Sequence, residues 1–101
     1  MPKFFVTMNY VEAKKTSFCI EADNEDDVYE ALGEIDMGFF ENQDNIKWVC
    51  ADYEPPIIDG VHPLNKTNSK MISCSAKQQK QIQKKFNKVM DSFNQAEVDS
   101  E

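Results

Sequence analysis

Arginine is absent from this chain of 101 residues, and all eleven cationic side chains are lysines. Arginine supplies the planar fork that reads guanine edges and grips phosphate or carboxylate at two points. Its absence argues against a dedicated sequence-reading DNA binder and against phosphoryl transfer. Glycine is scarce too, with three residues, and no Gly-rich phosphate loop, nucleotide fingerprint or G-x-S-x-G elbow occurs. Three cysteines (Cys19, Cys50 and Cys74) cannot all pair, and their wide spacing is not a disulfide framework. A reducing compartment is the simplest expectation. No apolar run approaches the roughly 20 residues of a membrane span, and residues 1–6 lack the pattern of a secretory signal. The expectation is a soluble, cytoplasmic protein, in which Asn65-Lys66-Thr67 matches the glycosylation pattern by chance.

Catalytic chemistry is equally thin. His62 is the one histidine, in a proline-flanked segment, and nothing around it or Cys74 orients a nucleophile and base. Cys19, Cys50, Cys74 and His62 could make a zinc set on paper, but no C-x2–4-C pair exists and strand cysteines usually behave as small hydrophobes. Carboxylates are plentiful, yet a catalytic pair needs burial that drives two pKa values apart. The expectation is a non-enzymatic protein with no catalytic residues, no metal and no cofactor.

What is present is sorted charge. Residues 1–60 hold fourteen acids against four lysines, a net of −10. Residues 61–90 hold seven lysines and no acid, a net of +7, and residues 91–101 hold four acids, so the whole chain carries −10 + 7 − 4 = −7. A uniform solubilising surface does not sort its signs this way.

The length suits one domain over 1–101: a compact unit at 1–53, an extended connection at 54–75 and a helix over 76–95. Residues 3–11 alternate as a strand, with Phe4, Val6, Met8 and Tyr10 on one face. Glu12 to Lys15 form a hairpin connection, and residues 16–22 alternate again with Phe18, Ile20 and Ala22 inward. Asp23 or Asn24 caps a helix whose Val28, Ala31, Leu32 and Ile35 make an apolar stripe, with Gly38 as its stop. Residues 46–53 read as a third strand, burying either Ile46, Trp48 and Cys50 or Val49, Ala51 and Tyr53. The predicted fold is α+β: ββαβ with a three-stranded sheet of order 2-1-3, one helix packed on it, and a long C-terminal helix. Ser73 or Ser75 caps that last helix. Its Ile82, Phe86, Val89, Met90 and Phe93 face one way, and Lys77, Lys80, Lys84 and Lys88 the other.

Three surfaces emerge as candidates. Asp26, Glu30 and Glu34 recur at i, i+4 and i+8, and Asp27, Asp36, Glu41 and Asp44 extend them into an acidic face. A dense carboxylate array resembles a phosphate backbone to a basic groove. The lysine stripe is an alternative nucleic-acid face, and the apolar stripe of the last helix a self-association face for a homodimer or scaffold. The ββαβ stretch at 3–53 resembles the small acidic accessory proteins of bacteriophages and mobile elements, in size, acidity and a compact hairpin–helix–strand. Some of those are anti-restriction or anti-CRISPR proteins that occupy nucleic-acid-binding surfaces. The resemblance implies a viral protein acting in the host cytoplasm as an acidic inhibitor of a nucleic-acid-processing partner, with direct nucleic-acid binding secondary. The basic helix in 54–101 is a departure from the simplest acidic decoys.

Overall fold

The computed structural model describes residues 2–10, 13–42, 44–50 and 58–99. Strands β1 (Lys3–Tyr10) and β2 (Lys14–Glu21) form an antiparallel hairpin that pairs Phe4 with Ile20, Val6 with Phe18 and Met8 with Thr16. Alternation puts Phe4, Val6, Met8, Phe18 and Ile20 on one face, and all are buried. Ala13, entering β2, takes a left-handed φ of 58°.

Helix α1 (Glu25–Glu34) follows, and Asn24 is its cap, accepting from the Asp27 backbone N–H at 2.8 Å. Val28, Ala31, Leu32 and Ile35 are buried as their spacing requires. Gly38 is not the stop. The helix ends at Glu34 because Ile35 turns extended and drops its side chain into the core. Asp36 then caps a short helix α2 (Met37–Glu41) through the Gly38 N–H, so Gly38 lies inside a helix.

The predicted strand at 46–53 is corrected. Among the described residues of that stretch only Val49–Cys50 is a strand (β3), and it pairs antiparallel with Lys14 and Lys15 on the outer edge of β2. Ile46 is buried and Trp48 half-buried, while Val49 and Cys50 are exposed. Ile46 and Trp48 pack on the core, and Val49–Cys50 adds only a short edge strand beside β2. Ala51, Asp52 and Tyr53, with Glu54-Pro55-Pro56, lie outside the described residues, as do Val11 and Glu12.

The place beside β1 belongs to β4 (Ile58–Pro63), within the stretch expected to be a linker. Among the described residues the sheet is therefore four-stranded and antiparallel, in the order β3-β2-β1-β4. The apparent turn residues have positional reasons. Asp59 is the extra residue of a bulge opposite Thr7 and Met8, and Pro63 closes an edge strand, where a missing N–H costs least. A Cβ at Gly60 would stand 2.9 Å from Nε2 of His62, so a larger residue there would push that exposed ring aside.

After β4, the short α3 (Lys66–Ser69) is held by an Asn65–Asn68 capping box. Ahead of α3 the Leu64 N–H continues the β4–β1 ladder by donating to the Lys3 carbonyl, and after α3 the Oγ of Ser17, on the second face of the sheet, donates to the Met71 carbonyl. Phe5, on that face opposite Cys19 and His62, is buried outside the main cluster.

Helix α4 (Ala76–Asp99) begins at a reciprocal cap between Ser75 and Gln78. It docks on its own sheet. Ile82 and Phe86 are 0% and 2% exposed within the main core, and Val89, Met90 and Phe93 pack against that core half-buried. Burying two such side chains stabilises the fold by about 1.5–3 kcal/mol each. α4 also closes the edge of β2 beyond β3. Ser17 exchanges backbone and side-chain hydrogen bonds with Ser73, the Cys19 N–H donates to Gln79 Oε1 at 3.1 Å, and the Glu21 N–H donates to Gln83 Oε1 at 2.6 Å. Gln83 Nε2 returns a bond to the Glu21 carbonyl at 3.0 Å. A glutamine amide carries the same donor and acceptor as a peptide group, so two of them stand in for a strand.

Candidate functional site

The acidic residues come together only in part. Asp26, Glu30 and Glu34 are exposed on α1, separated by about 6 Å per step. Among the described residues no lysine pairs with any of the three. Asp27 is half-buried on the same helix. Asp36 and Glu41 bracket α2 and have local partners: Asp36 caps that helix, and Glu41 accepts from the Tyr10 hydroxyl at 2.8 Å. Asp44 is exposed in the loop beyond.

Lys77, Lys80, Lys84 and Lys88 are all exposed on α4. Lys80, Lys84 and Lys88 flank an open trough of about 510 Å³ with Gln83, Asn87 and Asp91 in its walls. The lysines make no ion pair with α1 among the described residues, although α1 packs beside α4. The two charge blocks are therefore displayed, not spent on each other.

The self-association face is largely consumed. Ile82 and Phe86 lie in the chain's own core, so they cannot also form a dimer seam without unfolding it; Val89, Met90 and Phe93 keep partial exposure. His62 and Cys74 are kept apart: His62 is on β4 at one edge, while Cys74 packs against Thr16 of β2 across β1. Thr16 Oγ1 spends its proton on the Lys47 carbonyl at 2.6 Å, which leaves it to accept from the Cys74 thiol at 3.2 Å. No cluster of three or more histidine, cysteine or carboxylate residues with metal-holding geometry occurs among the described residues.

A site that spacing did not reveal forms where five segments meet. Tyr10 ends β1, Lys14 begins β2, Glu41 ends α2, residues 46–50 form one wall, and Gln78 of α4 closes the other. They enclose a cleft of about 470 Å³, within the range that holds small ligands. The indole Nε1–H of Trp48 donates to the Phe40 carbonyl at 2.8 Å, fixing the ring. The Tyr10 ring lies 5.8 Å from it, tilted by 50°, and is held by its hydroxyl bond to Glu41. Both rings are thus held in place and pack against each other. The only signal in sequence was a tryptophan flanked by a lysine, in a stretch that read as plain strand.

Cys50 is exposed in this cleft, Cys19 is half-buried, and Cys74 is buried. Burial pushes the Cys19 thiol up, with nearby Lys3 opposing and Glu21 adding to it. The Cys19 thiolate therefore forms only at higher pH than an ordinary thiol's. Iodoacetamide at neutral pH is expected to modify Cys50 first and Cys19 about tenfold or more slowly. Cys74 should react only on unfolding. Peptide mass spectrometry over time checks the order, and equal rates at Cys50 and Cys19 would contradict it.

Compared with known proteins, the chain matches no family model, no curated protein and no solved structure. No helix among the described residues is long and apolar enough to cross a membrane.

Proposed function

We propose that the chain is a non-enzymatic interaction protein, an acidic inhibitor of the phage anti-defence type that binds a basic surface of a nucleic-acid-handling partner through the carboxylate face of α1. The observation that supports this reading is the row Asp26, Glu30 and Glu34, exposed and without a lysine partner among the described residues. Like charges at i, i+4 cost a helix about 0.2–0.5 kcal/mol per pair. The chain leaves that repulsion in place although seven lysines follow at 61–90. A cationic partner relieves it, and steering by such a face speeds encounter most at low salt. Asp27, Asp36, Glu41 and Asp44 widen the face, so the contact spans α1, α2 and the loop after it.

The test is capture of partners from a bacterial lysate at low and high salt, repeated with D26K/E30K/E34K and with K80E/K84E. The expected result is a basic nucleic-acid-processing protein, lost at high salt and bound about tenfold or more weakly by the acid-reversal variant. If K80E/K84E loses the partner and the acid-reversal variant keeps it, the reading is wrong. Recovery of nucleic acid instead would favour the exposed lysines of α4 as the working face.

A further inference from the structure

Helix α1 carries a glycine that the fold does not require. Glycine is among the poorest helix formers, and its use is at a left-handed φ or a close approach. At Gly60 a Cβ would stand against the His62 ring, and at Gly38 against the Asp36 carboxylate that caps α2. Gly33 has no such neighbour: a Cβ there would meet nothing within 4 Å, and no described glycine has a positive φ. Alanine would fit at 33 and strengthen the helix.

The neighbours of Gly33 give the position a use. It is exposed on the outward side of α1, one turn after Tyr29 and three residues after Glu30. Helical side chains lean toward the N-terminus, so a residue at 33 would lie over the flank of positions 29 and 30. Glycine leaves that flank bare. Tyr29 is 40% exposed, the one large apolar side chain of α1 outside the core. Among the described residues its ring packs on no other ring and its hydroxyl makes no hydrogen bond. An aromatic ring beside a bare stretch of helix is a surface on which a flat group can be laid.

Charge selects the flat group. Glu25, Asp26 and Glu30 stand exposed around Tyr29, and no lysine pairs with them among the described residues. Helix α4 adjoins the opposite flank of α1, where Asp27 lines a cleft with Phe86 and Asn87. A nucleic-acid base would bring its phosphate against these carboxylates, and a second copy of a chain carrying −7 would bring carboxylates of its own. An arginine meets the opposite. Its guanidinium is planar, stacks on a tyrosine face and donates to a carboxylate at two points. A lysine ammonium has the charge without the plane. The chain itself contains no arginine, so the group has to come from another protein.

We propose that Tyr29 and Gly33 are the anchor point of the α1 face, where an arginine of a basic partner protein stacks on the Tyr29 ring and turns its fork to Asp26 or Glu30. The inference rests on the α1 reading and names the side chain that the partner supplies.

The probes are hexaarginine and hexalysine peptides, equal in charge, titrated at low salt and followed by amide NMR of the unaltered protein. The expected result is a Kd for hexaarginine of about 1 mM or tighter, about threefold or more below that of hexalysine. The largest shifts should fall at the Tyr29 and Gly33 amides. Tyr29→Ala should remove the preference for arginine, and Tyr29→Phe, which keeps the ring, should retain it. Gly33→Ala should weaken hexaarginine binding by a similar factor while raising the thermal midpoint by about 2–8 °C.

Equal binding of the two peptides would overturn the proposal. So would a preference that survives Tyr29→Ala, or shifts that leave Tyr29 and Gly33 unmoved. The α1 reading fails separately, if D26K/E30K/E34K binds both peptides as the parent does. If that variant loses both peptides while Tyr29→Ala keeps the preference, the carboxylate face stands and the arginine anchor falls.

Discussion

Phe86→Ala is expected to lower stability by about 3–5 kcal/mol, a fall in the thermal midpoint of about 15 °C or more. The side chain is 2% exposed in the same core as Phe18, Val28 and Phe40. Its removal leaves a cavity where α4 meets the layer formed by α1 and the sheet. Thermal melts at two protein concentrations check the cause. If Phe86 serves the monomer, the loss is the same at both. A loss smaller than about 1 kcal/mol, or one that vanishes at high concentration, would return α4 to the role of a dimer helix.

The second large effect is expected from Gln79→Ala with Gln83→Ala. The pair makes three bonds to the β2 edge: from the Cys19 N–H, from the Glu21 N–H and to the Glu21 carbonyl. At about 1 kcal/mol each, their loss costs about 3 kcal/mol. The larger consequence is association, because an uncovered strand edge is a template for another chain. Light scattering should show the double variant self-associating while Lys80→Ala, on the exposed face, remains as dispersed as the parent. A double variant that melts and scatters like the parent would mean that water replaces the amides without cost.

Much of this architecture was legible in the chain. The alternation of Phe4, Val6 and Met8 against Phe18 and Ile20 specified the hairpin, and the stripe from Val28 to Ile35 specified α1. α4 was legible from Ile82 and Phe86, and began at one of the two expected caps. β4 was not, because a strand at a sheet edge tolerates the residues that usually end strands. Asp59 and Gly60 mark a bulge and a close approach of His62, not a turn. Residues 46–48 failed in the opposite sense. Ile46 and Trp48 have strand-forming side chains, yet they pack on the core outside any strand. In the candidate sites, the exposure of Asp26, Glu30 and Glu34 followed from helical periodicity alone. The cleft did not follow from any period. Tyr10, Lys14, Glu41, Trp48 and Gln78 meet there only once the sheet order is known. The Lys/Gln bias of 77–85 likewise read as composition, although Gln79 and Gln83 have separate structural roles.

The other edge is closed by different means, with Pro63 and the bulge at Asp59 interrupting β4. The glutamine cover at β2 rests on a coincidence of lengths. One turn of helix between Gln79 and Gln83 advances about 6 Å, and two strand residues from Cys19 to Glu21 advance about 6.7 Å. The two lattices stay in step for this one repeat, and each further turn would add to the mismatch. Inserting a single residue between the glutamines would swing the second amide about 100° around the helix and off the strand. Replacing Lys80, on the solvent side, would leave both amides in place. In this part of the chain spacing is therefore the constrained variable and outward composition the free one: drift between divergent copies should accumulate as substitutions at 80 and 84, and never as a gap between 79 and 83.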